Sequence, residues 1–137
     1  MGVIVDTSTL VIAERRKHSV RELFGQLRDV CGDTAIGISV VTLVELAHGI
    51  ERANLEAHRE QRRAFLDDLI ADMVVYPVTA GIARLAGRIS GQQGRRGVTV
   101  PFEDLLIGAT APHHECDVVT ANIRHFEMIP GVVVRTL

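Results

Sequence analysis

The stretch Gly2-Val3-Ile4-Val5-Asp6-Thr7-Ser8-Thr9 decides the fold of this chain. Its apolar run predicts a buried strand, and Asp6 stands where that strand ends and a helix begins. Strands that are apolar throughout are typical of parallel sheets covered by helices on both faces. The segment therefore predicts a parallel α/β fold with an acid at the carboxyl end of its first strand.

Strand and helix patterns alternate along the rest of the chain. Strands are predicted at residues 2–5, 35–39, 73–78, 117–120 and 132–135, and helices near 8–30, 40–52, 54–72, 79–93 and 102–111. The two adjacent helices in the middle indicate an added helical hairpin. We expect a loop at 91–97 and a helix end or bend at Pro112. Residues 1–137 are thus expected to form one three-layer α/β/α domain around a parallel sheet of about five strands.

The composition is that of a folded globular protein. The chain has 137 residues, of which 47% are hydrophobic, enough for one domain and too apolar for a disordered segment. No apolar run approaches the roughly 20 residues that span a bilayer, and no signal peptide is recognisable. We therefore expect a cytoplasmic protein without membrane contact. Cys31 and Cys116 are too few for a disulfide framework.

The charge pattern leaves nucleic-acid binding open. The formal net charge is −2, but among 15 lysines and arginines only Lys17 is a lysine. The planar guanidinium of arginine suits phosphate recognition. The codon usage of the source would produce the same bias, so the arginines alone decide nothing.

Two more acids stand in settings similar to that of Asp6. Glu45 lies one and a half turns into the helix after the second strand, and Asp104 lies in the first turn of an almost wholly apolar helix. Open parallel sheets bind ligands beyond the carboxyl ends of their strands, where the strand order reverses. We expect the three acids and the segment 120–122 to meet there. Clustered carboxylates favour a divalent cation, and hard oxygen ligands point to Mg²⁺ or Mn²⁺.

Four segments of the chain closely resemble PIN-domain ribonucleases, and among them the VapC toxins of bacterial toxin–antitoxin modules. They occur in the family's order and span essentially the whole chain. The segments are Val5-Asp6-Thr7-Ser8, residues 39–46 with Gly49, residues 103–111, and residues 119–126 with Ile129-Pro130-Gly131.

The resemblance implies a catalytic set of Asp6, Glu45, Asp104 and Asn122, with the three acids as the metal ligands. It implies a metal-dependent endoribonuclease that cleaves RNA phosphodiester bonds with a metal-activated water. Residues predicted to contact RNA are Thr7, Ser8, Thr120, Arg124, His125, Arg15 and Arg16.

Asn122 departs from the pattern, since many members of the family carry an aspartate there. An amide offers a carbonyl oxygen but no charge, which leaves open whether one metal ion or two are bound. Glu103 is a candidate substitute. However, successive helix residues point about 100° apart, so only one of Glu103 and Asp104 is expected to face the first metal.

By resemblance, the protein is expected to be a growth-inhibiting toxin that forms a homodimer. A cognate VapB-type antitoxin would neutralise it by placing its tail in the active-site groove. Receiver domains and haloacid-dehalogenase phosphatases also use Asp and Mg²⁺, but both need a lysine near the phosphoryl group, and Lys17 lies too early. The remaining alternative is a non-catalytic module that binds RNA or sequesters a partner, with Asn122 marking lost activity.

Overall fold

A computed structural model describes residues 1–137 and contains five strands and seven helices. The strands are β1 (Gly2–Val5), β2 (Ala35–Ser39), β3 (Val74–Tyr76), β4 (Cys116–Val119) and β5 (Val134–Arg135). The helices are α1 (Thr7–Arg15), α2 (Val20–Cys31), α3 (Val40–Arg52), α4 (Glu56–Asp72), α5 (Ala80–Arg95), α6 (Phe102–His113) and α7 (Ile123–Glu127).

All five strands pair in parallel in a single sheet, in the order β3-β2-β1-β4-β5. The chain builds outward from β1 through β2 to β3, then returns to the other side of β1 and adds β4 and β5. The strand order therefore reverses between β1 and β4. This confirms the predicted parallel sheet. Open parallel sheets bind ligands beyond the ends of the two strands at such a reversal.

Helices cover both faces of the sheet, and β1 is therefore buried on both sides. Ile4 points into one core, with α5, α6 and α7, whereas Val3 and Val5 point into the other, with α1, α2 and α4. The fully buried side chains that line these cores include Ile82, Ile107, Phe126, Leu10, Leu23 and Leu69. Each contributes about 1.5–3 kcal/mol relative to an exposed position. The three-layer arrangement is confirmed.

The single helix predicted near residues 8–30 is two helices, and that prediction was wrong. The break lies at Lys17, whose backbone is left-handed with φ of 58°. Ser19 then caps the start of α2 with a capping box. Its hydroxyl accepts a hydrogen bond from the Glu22 N–H, and the Glu22 carboxylate accepts one from the Ser19 N–H. This pair supplies partners that a helix start otherwise lacks.

The prediction of a loop at 91–97 was also wrong, because most of this segment is helical. Helix α5 continues to Arg95, and the chain turns at Gly97, where φ is +76°. The buried side chain of Gln93 donates a hydrogen bond to the Met128 carbonyl, which anchors the last turn of α5. Pro112 lies in the last turn of α6, and the short helix α7 was not predicted.

The predicted helical hairpin is present. Helices α3 and α4 are joined by residues 53–55 and pack against each other. Arg62 on α4 donates a hydrogen bond to the Gly49 carbonyl on α3, which ties the two helices together. None of the seven helices combines the length and the apolar character that crossing a membrane requires.

Candidate active site

Asp6 lies at the crevice between β1 and β4. The residue is only 2% exposed, and its backbone N–H donates to the Val119 carbonyl at 2.8 Å. This bond holds the end of β1 against the end of β4, so Asp6 and Thr120 become neighbours. The structure thus brings together two segments that are far apart in the sequence, as expected from the strand pattern.

Hydroxyl groups fix the Asp6 carboxylate. Ser8 Oγ donates to Asp6 Oδ2 at 2.7 Å, and Thr120 Oγ1 donates to the same oxygen at 2.8 Å. These hydroxyls accept in turn from the N–H groups of Ala121, at 3.1 Å, and Asn122, at 2.9 Å. The network orients Asp6 and the loop after β4 as one unit. Contacts of Ser8 and Thr120 with RNA stay predictions.

Glu45 is held by a second hydroxyl pair. Thr7 donates to Glu45 Oε1 at 2.6 Å, and its oxygen is also 3.0 Å from the hydroxyl of Thr42. Thr42 is fully buried, and sequence reasoning missed it. The available signal was its position three residues before Glu45, which places both side chains on the same face of α3.

Asp104 lies in the first turn of α6, as predicted, and contacts α7. Its Oδ2 atom is 2.6 Å from His125 Nδ1. A negative charge in the first turn of a helix is favoured by the helix dipole. The structure therefore gives His125 a hydrogen-bond partner within the acidic site.

Burial and mutual repulsion raise the pKa of two of the acids. The pKa of Glu45 is raised first by burial, against the lowering effect of the Thr7 hydrogen bond, and then by the charges of Asp6, Asp104 and Glu103. The pKa of Asp104 is raised by burial and by Asp6 and Glu103, while His125 lowers it. The acids are therefore close enough to repel one another, as a site for a cation requires.

The donor set fits a hard divalent cation. In each acid one oxygen accepts a side-chain hydrogen bond, namely Asp6 Oδ2, Glu45 Oε1 and Asp104 Oδ2, whereas the second oxygen has no such partner. No three His, Cys, Asp or Glu side chains are closed around one point as a ready-made metal cage. Each carboxylate thus presents one oxygen without a side-chain partner, but the three acids do not converge on one point. Such all-oxygen sets suit Mg²⁺ and Mn²⁺ better than zinc.

The remaining predicted residues surround this site. Asn122 and Arg124 are exposed at the start of α7. Arg15 lines a groove with Glu45, whereas Arg16 lines a separate cavity with Thr120, so the two neighbouring arginines face different sides of α1.

Phe102 is 67% exposed at the first position of α6. A residue at the solvent side of a first helical turn does not reach the core, and the sequence pattern alone did not reveal which side it takes.

A family model described as PIN domain matches residues 3–131, and the chain belongs to that family. Ribonuclease VapC1 of Rickettsia felis is 30% identical over 139 residues, which cover 100% of this chain and 97% of the relative. The tRNA(fMet)-specific endonuclease VapC of Salmonella typhimurium is 29% identical over 130 residues, covering 94% of this chain and 92% of the relative. The crystal structure of DNA-bound VapBC from Salmonella typhimurium has a TM-score of 0.83 at 28% identity, covering 99% of this chain and 98% of that one.

Within the PIN-domain family the chain is of the VapC type, a ribonuclease, as its motifs predicted. The alternative of a non-catalytic module is not favoured, because the similar proteins over the full length are named as ribonucleases and an endonuclease. A receiver or phosphatase is excluded by the family.

Proposed function

We propose that this protein is a toxin that cuts RNA chains at internal phosphodiester bonds with Mg²⁺ or Mn²⁺ as its cofactor. The observation that supports the proposal is the placement of Asp6, Glu45 and Asp104 near the ends of β1 and β4, where burial, and then the charges of the neighbouring acids, raise the pKa of Glu45 and Asp104. Three acids that repel one another are costly to keep together unless a cation neutralises them.

The hydrogen bonds of the three acids support the following roles. Asp6 and Asp104 would hold the cation through the oxygens that lack side-chain partners, and Glu45 would complete the ligand set or position a water molecule beside it. When bound, the cation supplies Lewis acidity at the phosphodiester and offsets the charge of the carboxylates. Thr7, Ser8 and Thr120 keep the acids oriented. Asn122 adds an uncharged oxygen donor at the edge of the site.

RNA is the proposed substrate, and arginines around the acidic site would hold its backbone. Arg15 and Arg124 are exposed close to Glu45 and Asn122, respectively, while Arg16 faces the cavity next to Thr120. A guanidinium donates two parallel hydrogen bonds to a phosphate. The acidic centre repels phosphate by itself, so cationic residues on its rim are needed for binding.

A VapB-type antitoxin is the proposed partner, and its tail would occupy the groove beside Glu45. This groove lies between α1, α3 and α4. Its lining is partly apolar, and its charged members are two acids and two arginines, Glu14, Glu45, Arg15 and Arg62. A peptide that carries both apolar and charged residues fits such a lining. We also propose that the toxin forms a homodimer. The molar mass of the purified protein in solution, measured by light scattering, tests this.

The proposal is tested by cleavage of a fluorescent RNA with Mg²⁺ or Mn²⁺ and after chelation. Activity should vanish with chelator and return with added metal. Asp6→Asn and Glu45→Gln should each lower kcat by at least about 100-fold. Glu51→Gln is the matched control, since Glu51 is exposed on the same helix as Glu45. Cleavage that persists in chelator, or in both acid variants, would reject the proposal.

The toxin role is tested by growth after brief expression in cells. Glu45→Gln should relieve growth inhibition at equal protein level, because the helix and its apolar face are unchanged. Equal toxicity would favour partner sequestration. Mapping the 5′-phosphate ends that appear in cellular RNA identifies the substrate.

A further inference from the structure

His125 is the one side chain that hydrogen-bonds to Asp104. Its Nδ1 atom lies 2.6 Å from Asp104 Oδ2, and the imidazole is the donor because a carboxylate has no proton to give. The Asp104 side chain is 15% exposed and that of His125 is 44% exposed. The contact therefore joins a well-covered acid to a histidine on its outer side.

The packing of α7 on α6 explains how His125 reaches this position. Gly108 lies four residues after Asp104, on the same face of α6. A Cβ atom on Gly108 would collide with Ile129 and would come within 3.5 Å of Phe126 Cδ1. Phe126 and Ile129 are both buried. Because Gly108 has no side chain, α7 and the following Ile129 can lie close to the face of α6 that carries Asp104.

We propose that His125 is a positioning residue, which fixes the Asp104 carboxylate so that Oδ1 is presented to the divalent cation. The inference rests on the proposed function in one respect, namely that Asp104 is a cation ligand. Hydrogen bonds that orient ligating carboxylates are worth about 10- to 100-fold in metal affinity or activity. On this basis His125 mainly affects the affinity for the metal ion and not the affinity for RNA.

The test is a calorimetric titration of the purified protein with Mn²⁺ alone, without RNA. His125→Leu should raise the Kd for Mn²⁺ about tenfold. His125→Asn should stay within about threefold of the parent, because the asparagine amide donates from nearly the place of Nδ1. His58→Leu is the control, since His58 is exposed on α4 and its side chain hydrogen-bonds to none of the three acids.

The second readout is cleavage of a short fluorescent RNA at low and at saturating Mn²⁺. For His125→Leu we expect kcat to fall at low metal and to recover at saturation, with KM for RNA within about twofold of the parent. An unchanged or tighter Kd for Mn²⁺ in His125→Leu would overturn the inference. A raised KM with unchanged metal affinity would instead show that His125 contacts RNA. Equal losses of Mn²⁺ affinity in His125→Leu and His125→Asn would show that His125 has only a structural role.

Asp104→Asn separates this inference from the proposed function. Loss of Mn²⁺ binding in Asp104→Asn with normal binding in His125→Leu would overturn only the role of His125. Normal Mn²⁺ binding in Asp104→Asn would overturn the assignment of Asp104 as a ligand, and with it the inference.

Discussion

Thr120 Oγ1 donates a hydrogen bond of 2.8 Å to Asp6 Oδ2, although the two residues are 114 positions apart. Both residues are almost completely buried. Each stands directly after a central strand, so the parallel pairing of β1 and β4 brings them together. The bond gives the buried Asp6 carboxyl group a hydrogen-bond partner that solvent does not supply there.

Removal of this hydroxyl should destabilise the protein. Thr120→Val keeps the side-chain shape but leaves Asp6 with only the Ser8 hydroxyl, and hydrogen bonds to charged groups are worth about 1.5–3 kcal/mol. We expect a loss of that size in the free energy of unfolding, measured with urea on metal-free protein. Thr120→Ser should recover most of it. Thr136→Val, at an exposed site, is the control and should change stability by less than about 0.5 kcal/mol. Equal stabilities of Thr120→Val and the parent would show that Ser8 alone is sufficient.

Glu45→Gln should stabilise the metal-free protein, and more so at neutral than at acidic pH. Because the folded-state pKa of Glu45 is raised, the protonated acid favours the folded state below the ordinary value of 4.5, and this contribution is lost as the pH rises through the raised value. The gain near neutral pH should be no more than about 1 kcal/mol, since the side chain is partly solvated and its interactions are screened. It should shrink towards zero as the pH falls to 4.5. Melting curves of Glu45→Gln and the Glu51→Gln control over this range provide the measurement, and a gain that grows in acid would contradict the assignment.

Divalent metal should raise the melting temperature of the parent protein. A ligand that binds only the folded state stabilises it in proportion to the logarithm of its concentration. The double variant Asp6→Asn and Asp104→Asn should lose this response, because two charged ligands become amides. Asp29→Asn, on the exposed side of α2, should retain it. A response that survives in the double variant would place the metal elsewhere.

Asn122→Asp should lower the metal concentration needed for half-maximal cleavage. The change adds a charged oxygen where only an amide oxygen stands, and affinity in such sites rises with the charge of the ligands. If Asn122 instead contacts RNA or fixes the loop beside Arg124, the aspartate would repel phosphate and slow the reaction. Titration of both proteins with Mg²⁺ on one RNA distinguishes these cases, and an unchanged or higher half-saturating concentration would count against a loosely held second metal.

Gly37→Ala should destabilise the sheet by about 1–3 kcal/mol, as overpacked positions do. A Cβ atom at Gly37 would lie 2.5 Å from Tyr76 Cε2 and 2.8 Å from the Val74 carbonyl oxygen, and that backbone cannot easily move. Gly25→Ala is the matched control. It lies within α2 with nothing near its Cβ position, so alanine should be neutral or stabilising by up to about 1 kcal/mol. Similar stabilities for the two variants, measured by urea unfolding, would indicate that β2 and β3 pair less tightly than the structure indicates.

The sequence by itself determined the local setting of each acid. The sequence correctly predicted a strand before Asp6, a helical position for Glu45 and a first-turn position for Asp104. These predictions depend on burial patterns with periods of 2 and 3.6 residues, which neighbouring residues alone define. The order of the five strands was also predicted correctly for this reason. The break at Lys17 had a local signal in the spacing of Ser19 and Glu22, but the surrounding helical pattern obscured it.

The tertiary structure alone decided which side chains touch. The strand pattern predicted that Asp6 and the segment with Thr120 would meet, but not which atoms bond, and it did not predict the bond from His125 to Asp104. The first bond depends on β4 pairing beside β1, and the second bond on the close approach of α7 to Gly108. Hydrogen bonds act over about 3 Å, so they follow from packing in three dimensions and not from the spacing of residues along the chain.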